Sequence, residues 1–291
     1  MIRNTNDGTQ SAPYLRSDLN TGTLGALPAF STGPKGEEGE VLRAIKGAGF
    51  KGVQGVSPAS AKAVGLGVSG GGRMDRPEQA EAIAASSKQA GYECMTLHVG
   101  WGMEDDDVVH RLVEAVLAAS IKHDIPMYIE THRATITQDI WRTVQLTKKF
   151  PEIRFNGDFS HWYTGLEMVY GGFENKLAFI EPVLERVRFL HGRIGNPGCM
   201  QVDIGDGTNQ SYVEHFKEMW TRSMMGFLTS AKPGDYLCFN PELLPPNIFY
   251  ARTFRNAQGQ EVEEGDRWQQ ALLYKRIAED CFAEAKKRVR A

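Results

Sequence analysis

Two rhythms alternate along the chain. Short apolar runs rich in β-branched and aromatic residues end in glycine or polar positions, and each is followed by a stretch whose apolar positions recur every three to four residues. The short runs are TLGALPAF (23–30), GFKGVQGV (49–56), GLGVSGGG (65–72), YECMTLHVGWG (92–102), MYIETHR (127–133), IRFNGDFSHWY (153–163), RFLHGRIG (188–195) and DYLCFNPELL (235–244). They read as strands. Between them the spacing predicts helices over 37–47 (Val41, Leu42 and Ile45 on one face), from Pro77 onward, and over 137–150 with Ile140, Trp141 and Val144 inward. Further helices are predicted over 177–187, 212–228 and 267–288. The clearest helix follows Asp105, Asp106 and Asp107, acids suited to a positive helix N-terminus, and carries Val109, Leu112, Val113, Val116 and Leu117 as one stripe.

Eight strands, each followed by a helix, give an α/β fold, and the regular rhythm enforces parallel strands that close into a (β/α)8 TIM barrel. A doubly wound open sheet is the alternative architecture. Residues 1–22 read as an N-terminal arm and 23–291 as a single barrel domain, because no Ser, Gly or Pro linker divides the chain. The polar loop 192–209 is long enough to cover a site.

Composition narrows the function. The 291 residues are 41% hydrophobic and 24% charged with a net charge of −3, so there is no basic field for nucleic acid or an anionic membrane. A small-molecule partner is expected. No apolar run is long enough to span a bilayer, and the first twenty residues lack the apolar core of a signal peptide, so the expected location is cytoplasmic. Cys94, Cys199, Cys238 and Cys281 form no CxxC pair and read as reduced thiols.

The C-terminal ends of barrel strands are where such folds place chemistry. Glu130, Asp158, His191 and Glu242 fall at four of those ends, 28, 33 and 51 residues apart. Each ligand thus belongs to a different strand, and three carboxylates with one imidazole suit one divalent ion such as Mn²⁺, Mg²⁺, Co²⁺ or Zn²⁺. Taken singly, each is as readily a helix cap or an ion-pair partner; three carboxylates converging without a cation would be strongly unfavourable. His98, His132, His161 and Arg193 fall at the same ends. Trp101, Trp162 and Phe159 are candidates for an apolar wall against a sugar ring, with core packing an equal reading. His110, His123 and His215 fall on helices and read as solvated. The glycines at 70–72 read as a tight turn, with phosphate cradling the weaker option.

Four elements carry a resemblance: YIETH with Glu130, D-F-S-H with Asp158 and His161, FLHGR with His191, and NPE with Glu242. They resemble the xylose isomerase-like superfamily of TIM barrels, in its sugar isomerase and epimerase branch, over residues 23–250. The resemblance implies that those four residues hold one metal, and that Glu130 and Glu242 transfer a proton through a metal-stabilised enediolate. His161 and Arg193 would assist catalysis, and His98, Trp101, His132 and Trp162 would bind a small carbohydrate. The seventh strand departs from the family's H-x-K-D pattern, reading His191, Gly192, Arg193, Ile194. Within the same scaffold an inosose-type dehydratase is the alternative. A non-catalytic metabolite-binding barrel is a further one, and a nuclease of the endonuclease IV branch is disfavoured by the acidic net charge. Barrels of this kind pair, so a homodimer or homotetramer is expected.

Overall fold

In the computed structural model, which describes residues 2–290, eight parallel strands close on themselves. They are β1 (Tyr14–Asn20), β2 (Gly52–Gln54), β3 (Gly67–Met74), β4 (Met95–Val99), β5 (Met127–Glu130), β6 (Phe155–Gly157), β7 (Val187–Gly192) and β8 (Asp235–Pro241). Neighbours pair in chain order, and β8 returns to β1 with Arg16 opposite Cys238, so the expected (β/α)8 barrel is the observed fold.

The helices are α1 (Glu38–Gly47), α2 (Pro58–Ala63), α3 (Gln79–Ala90), α4 (Asp106–Lys122), α5 (Ile140–Lys149), α6 (Ser160–Gly165), α7 (Phe173–Leu184), α8 (Ser211–Leu228) and α9 (Arg267–Arg290). A hairpin of β9 (Thr253–Arg255) and β10 (Glu261–Glu263) follows β8. In α4 the Asp105 carboxylate accepts from Val108 N at 2.8 Å, capping the first turn. Its five predicted apolar residues are all buried, a stripe whose side chains each contribute about 1.5–3 kcal/mol by leaving water. Among the described residues no helix is long and apolar enough to cross a membrane.

The first strand lies earlier than the apolar pattern predicts. Residues 23–30 form no strand; β1 is YLRSDLN, inside the segment read as an arm. Its polar centre hid it. Arg16 and Asp18 pair with each other at 2.7 Å, and Arg16 also reaches Glu93 Oε2 (2.6 Å) and Tyr236 Oη (2.9 Å). Burying such a pair is tolerable only when every donor finds an acceptor, which these partners provide. Two glycines make room: a Cβ on Gly52 would lie 2.4 Å from Asp18 Oδ1, and one on Gly67 would lie 2.5 Å from Arg16 Nη1. The rest of the arm docks below the barrel, with Thr5–Asn6 antiparallel to β8 and Thr5 N donating to Tyr128 Oη.

Four smaller expectations are corrected. Gly70–Gly72 form no turn, being paired in β3 with Met95, Thr96 and Leu97. The sixth strand stops at Gly157, and SHWYTG turns into α6. Trp141 is 61% exposed, because α5 turns only Ile140 and Val144 of the three predicted residues inward. His215 is no solvated residue; it stacks on Phe173 at 3.8 Å and bonds Tyr163 Oη.

Candidate functional site

The barrel rhythm brings the four strand-end residues together. Glu130 ends β5, Asp158 follows β6, His191 lies near the end of β7, and Glu242 follows β8. One ligand atom from each lies within 4.8 Å of the others. Glu130, Asp158 and His191 are buried, and Glu242 opens toward the mouth with 14% of its side chain exposed.

A layer of amides beneath the cluster holds it. Gln54 Nε2 donates to the Gly70 carbonyl and to Thr96 Oγ1, and since a carbonyl only accepts, the Gln54 oxygen must face the other way. There it accepts from Asn20, from Asn240 and, at 2.8 Å, from His191 Nε2. With Nε2 carrying that proton, Nδ1 is the nitrogen turned to the cluster, 3.3 Å from Glu130 Oε2 and 3.5 Å from Glu242 Oε2. Asn156 adds a donor to Glu130 Oε2 at 2.9 Å and lies 3.0 Å from His191 Nδ1. Asp158 divides its oxygens. Oδ1 accepts from Ser160 N and Oγ at the start of α6, so the helix-start reading of this acid holds, and Oδ2 faces the cluster.

Arg193 is the departure from a bare ligand set. Its side chain is fully buried, with Nη1 2.6 Å from Asp158 Oδ2 and Nη2 against Glu242 Oε2. Burial works against charge on Asp158, yet Arg193 and His161 outweigh it and hold its carboxyl below the ordinary range. Burial likewise opposes ionised Glu130, and His191 and His98 hold it well below the usual value. His191 is pushed up to about 9, because Glu242 and Glu130 overcome the cost of burying the cation.

The residues present fit a divalent ion. Three carboxylates against one fixed guanidinium leave two negative charges, which a divalent cation would neutralise. Hard oxygens with one imidazole nitrogen, its far side anchored by an amide oxygen, are a suitable donor set. Glu130, Asp158, His191 and Glu242 would hold the ion.

Beside the cluster three imidazoles adjoin in a row, their rings tilted by 34° and 52° to one another. His132 lies between His98 (ring centroids 4.1 Å) and His161 (3.9 Å). His98 Nε2 is 3.2 Å from Glu130 Oε1, and His161 Nε2 is 3.5 Å from Asp158 Oδ2. Burial and the neighbouring His161 push His132 down to about 3, so it is neutral at physiological pH. The second shared grouping, His98, Glu130 and His132, makes Glu130 common to both. His161 also lines a cleft of about 740 Å³ with Arg133, Cys199, Met200, Tyr250 and Arg252, a volume in the range of small-molecule sites. Tyr250 closes one side, its ring 4.5 Å from the Arg193 guanidinium.

Of the aromatic candidates, Trp101 stands on the rim, 47% exposed under the Arg73 guanidinium. Trp162 and Phe159 do not face the cluster. The Trp162 indole is buried and donates to the Thr137 carbonyl at 2.8 Å, so α6 places it in the packing between elements. Reading the sequence missed Asn20, Gln54, Asn156, Asn240 and Tyr250. The first four carried one usable signal, a lone amide at the end of a strand; Tyr250 carried none.

No family model matches the sequence, and no curated protein matches it. Among solved structures, the chain is similar to a xylose isomerase-like TIM barrel protein from Mycobacterium smegmatis in complex with magnesium, at 12% identity over 96% of this chain and 98% of that one, with a TM-score of 0.54. It is also similar to a probable 3-DHS dehydratase, AsbF, involved in petrobactin synthesis in Bacillus anthracis, at 12% identity over 80% and 94%, with a TM-score of 0.51. At such identity the likeness is one of fold.

Proposed function

We propose that the protein is a divalent-metal-dependent isomerase or epimerase of a small sugar or polyol derivative. One relation carries the reading: carboxylates from β5 and β8 face the same His191 nitrogen, Glu130 Oε2 at 3.3 Å and Glu242 Oε2 at 3.5 Å. Two bases converging on one point suit removal of a proton from carbon and its return. A divalent ion held there supplies the Lewis acidity that polarises a carbonyl and its neighbouring hydroxyl.

The chain's own groups divide the remaining work. Glu242, nearer the mouth, takes the proton from carbon and, carrying it as the neutral acid, returns it to the neighbouring carbon, while Glu130, ionised, is the base that serves the opposite face in the same way. His161, on the cleft wall, holds substrate oxygens as charge develops on them, and Arg193 assists by keeping Asp158 and Glu242 in place. His98 and His132 orient the substrate from the side of the imidazole row, with Trp101 on the rim. The likeness of fold to a magnesium-bound barrel agrees with this use of the site.

A lyase that expels water is the second reading, and His98 beside Glu130 favours it. His98 is pushed up against burial by Glu130, which makes it an acid able to protonate a departing hydroxyl. Product mass separates the two, since isomerisation conserves mass and dehydration loses water. The test of the shared core is Glu242→Gln, expected to keep fold and bound metal while turnover falls by about 10²–10⁴-fold. Full activity in that variant removes the proton-transfer role. A purified protein that takes up no divalent ion on reconstitution would instead favour a barrel that only binds a metabolite.

A further inference from the structure

The opposite end of the barrel concentrates positive charge. Arg154 precedes β6, Arg186 lies between α7 and β7, and Arg188 is the second residue of β7. Arg154 and Arg188 are 6% and 3% exposed. The acceptors that Arg188 meets are neutral: Asn4 Oδ1 (2.8 Å), the carbonyls of Glu185 (2.9 Å) and Val187 (2.6 Å), and Ser230 Oγ (2.9 Å). Arg154 Nη1 donates to the Pro151 and Ile153 carbonyls, among its contacts. Arg186 donates to the Pro182 carbonyl and has Glu185 Oε2 at 3.5 Å, while its buried Nε has no hydrogen-bond partner.

These side chains line a cavity of about 430 Å³, together with Arg222, which is already paired with Glu181 and Glu218. The lining carries four arginines and two glutamates. An adjoining cavity of about 410 Å³ shares Arg154 and Ser230 and adds Lys232. Burial, then Arg154 and Arg186, push the Arg188 guanidinium down to about 10. Guanidinium groups lining one cavity repel one another, the two glutamates of the lining offset only part of that charge, and the planar forks match the oxygens of a phosphate.

We propose that this cavity binds a phosphate group, as the free ion or as a phosphate monoester, at the end of the barrel away from the acidic cluster. Arg186 Nε donates directly to the bound group. Arg154 and Arg188, fixed by their carbonyl partners, supply the field that draws it in. The distance from the cluster makes the bound group an effector or stabiliser rather than part of a substrate over Glu130.

The experiment is calorimetric titration of the full chain with inorganic phosphate and, separately, with glycerol 3-phosphate, in a chelator and at constant ionic strength. Arg186→Gln and Arg222→Gln are titrated in parallel, two variants so that one misfolding does not end the test. Saturable binding to the wild type, weakened by about tenfold or more in Arg186→Gln, is the expected result. Inorganic phosphate binding as tightly as the ester identifies the free ion as the ligand; binding of the ester alone identifies a phosphorylated metabolite. Absence of binding by both probes at about 10 mM, or equal affinity in the wild type and both variants, overturns the proposal.

Discussion

Arg193 Nη1 lies 2.6 Å from Asp158 Oδ2, and both side chains are fully buried. The same guanidinium reaches Glu242, so one cation ties together two of the four proposed ligands. Removing it leaves two carboxylates facing each other away from water. Arg193→Met is therefore expected to lose about 3–5 kcal/mol of stability in a chelator. A divalent ion should restore part of that loss. Urea unfolding with and without Mn²⁺ measures both, and a variant as stable as wild type in the chelator would show that the pair is not a structural tie.

Metal affinity should depend on pH through His191. Its imidazole is raised to about 9, so below that pH the nitrogen facing the cluster carries a proton that an entering ion must displace. Glu130 and Asp158 are held below the ordinary carboxylate range and stay ionised, adding no slope near neutrality. Apparent affinity should strengthen by about tenfold per pH unit from about 6 to 9 and then level off. Indicator competition across that range reads the slope; a flat profile removes His191 from the ligand set.

Gln54→Leu tests the amide layer. The His191 anchor at 2.8 Å is lost, and the imidazole is free to turn its other nitrogen to the cluster. Metal binding should weaken by about 10–100-fold with the circular dichroism spectrum unchanged. Unaltered affinity would mean that packing alone orients the ring.

Asp18→Ala separates the two ends of the barrel. It leaves Arg16 buried without its bidentate partner and should cost about 3–5 kcal/mol in denaturant unfolding. Metal affinity should not change, since the pair lies on the far side of the amide layer. A variant with altered affinity and normal stability would contradict that separation.

The four clustered residues were legible because strand ends coincide with changes in polarity: MYIE runs into THR, and FLH into GRIG. Four polar side chains in corresponding places on four strands then point at one mouth by the geometry of the closed sheet. The first strand was not legible, since Arg16 and Asp18 read as surface until their partners Glu93 and Tyr236 are known, residues distant in sequence. The role of Gln54 was hidden for the same reason; its five partners come from β1, β3, β4, β7 and β8, and only the register brings them together. Trp162 shows the converse error. An indole beside D-F-S-H suggests a sugar platform, yet one turn of α6 carries it away from the mouth and into the interior.

Asn20 Nδ2 donates to Glu242 Oε1 at 2.7 Å across 222 residues of chain. These residues end β1 and follow β8, the two strands whose pairing is the seam of the barrel. A growing chain on the ribosome therefore displays Glu130, Asp158 and His191 well before it reaches Glu242. The four-residue cluster is complete only once the last strand has been made and the seam has shut, so a product truncated before Asp235 keeps most of its helices but lacks both the closing strand and the fourth member of the cluster.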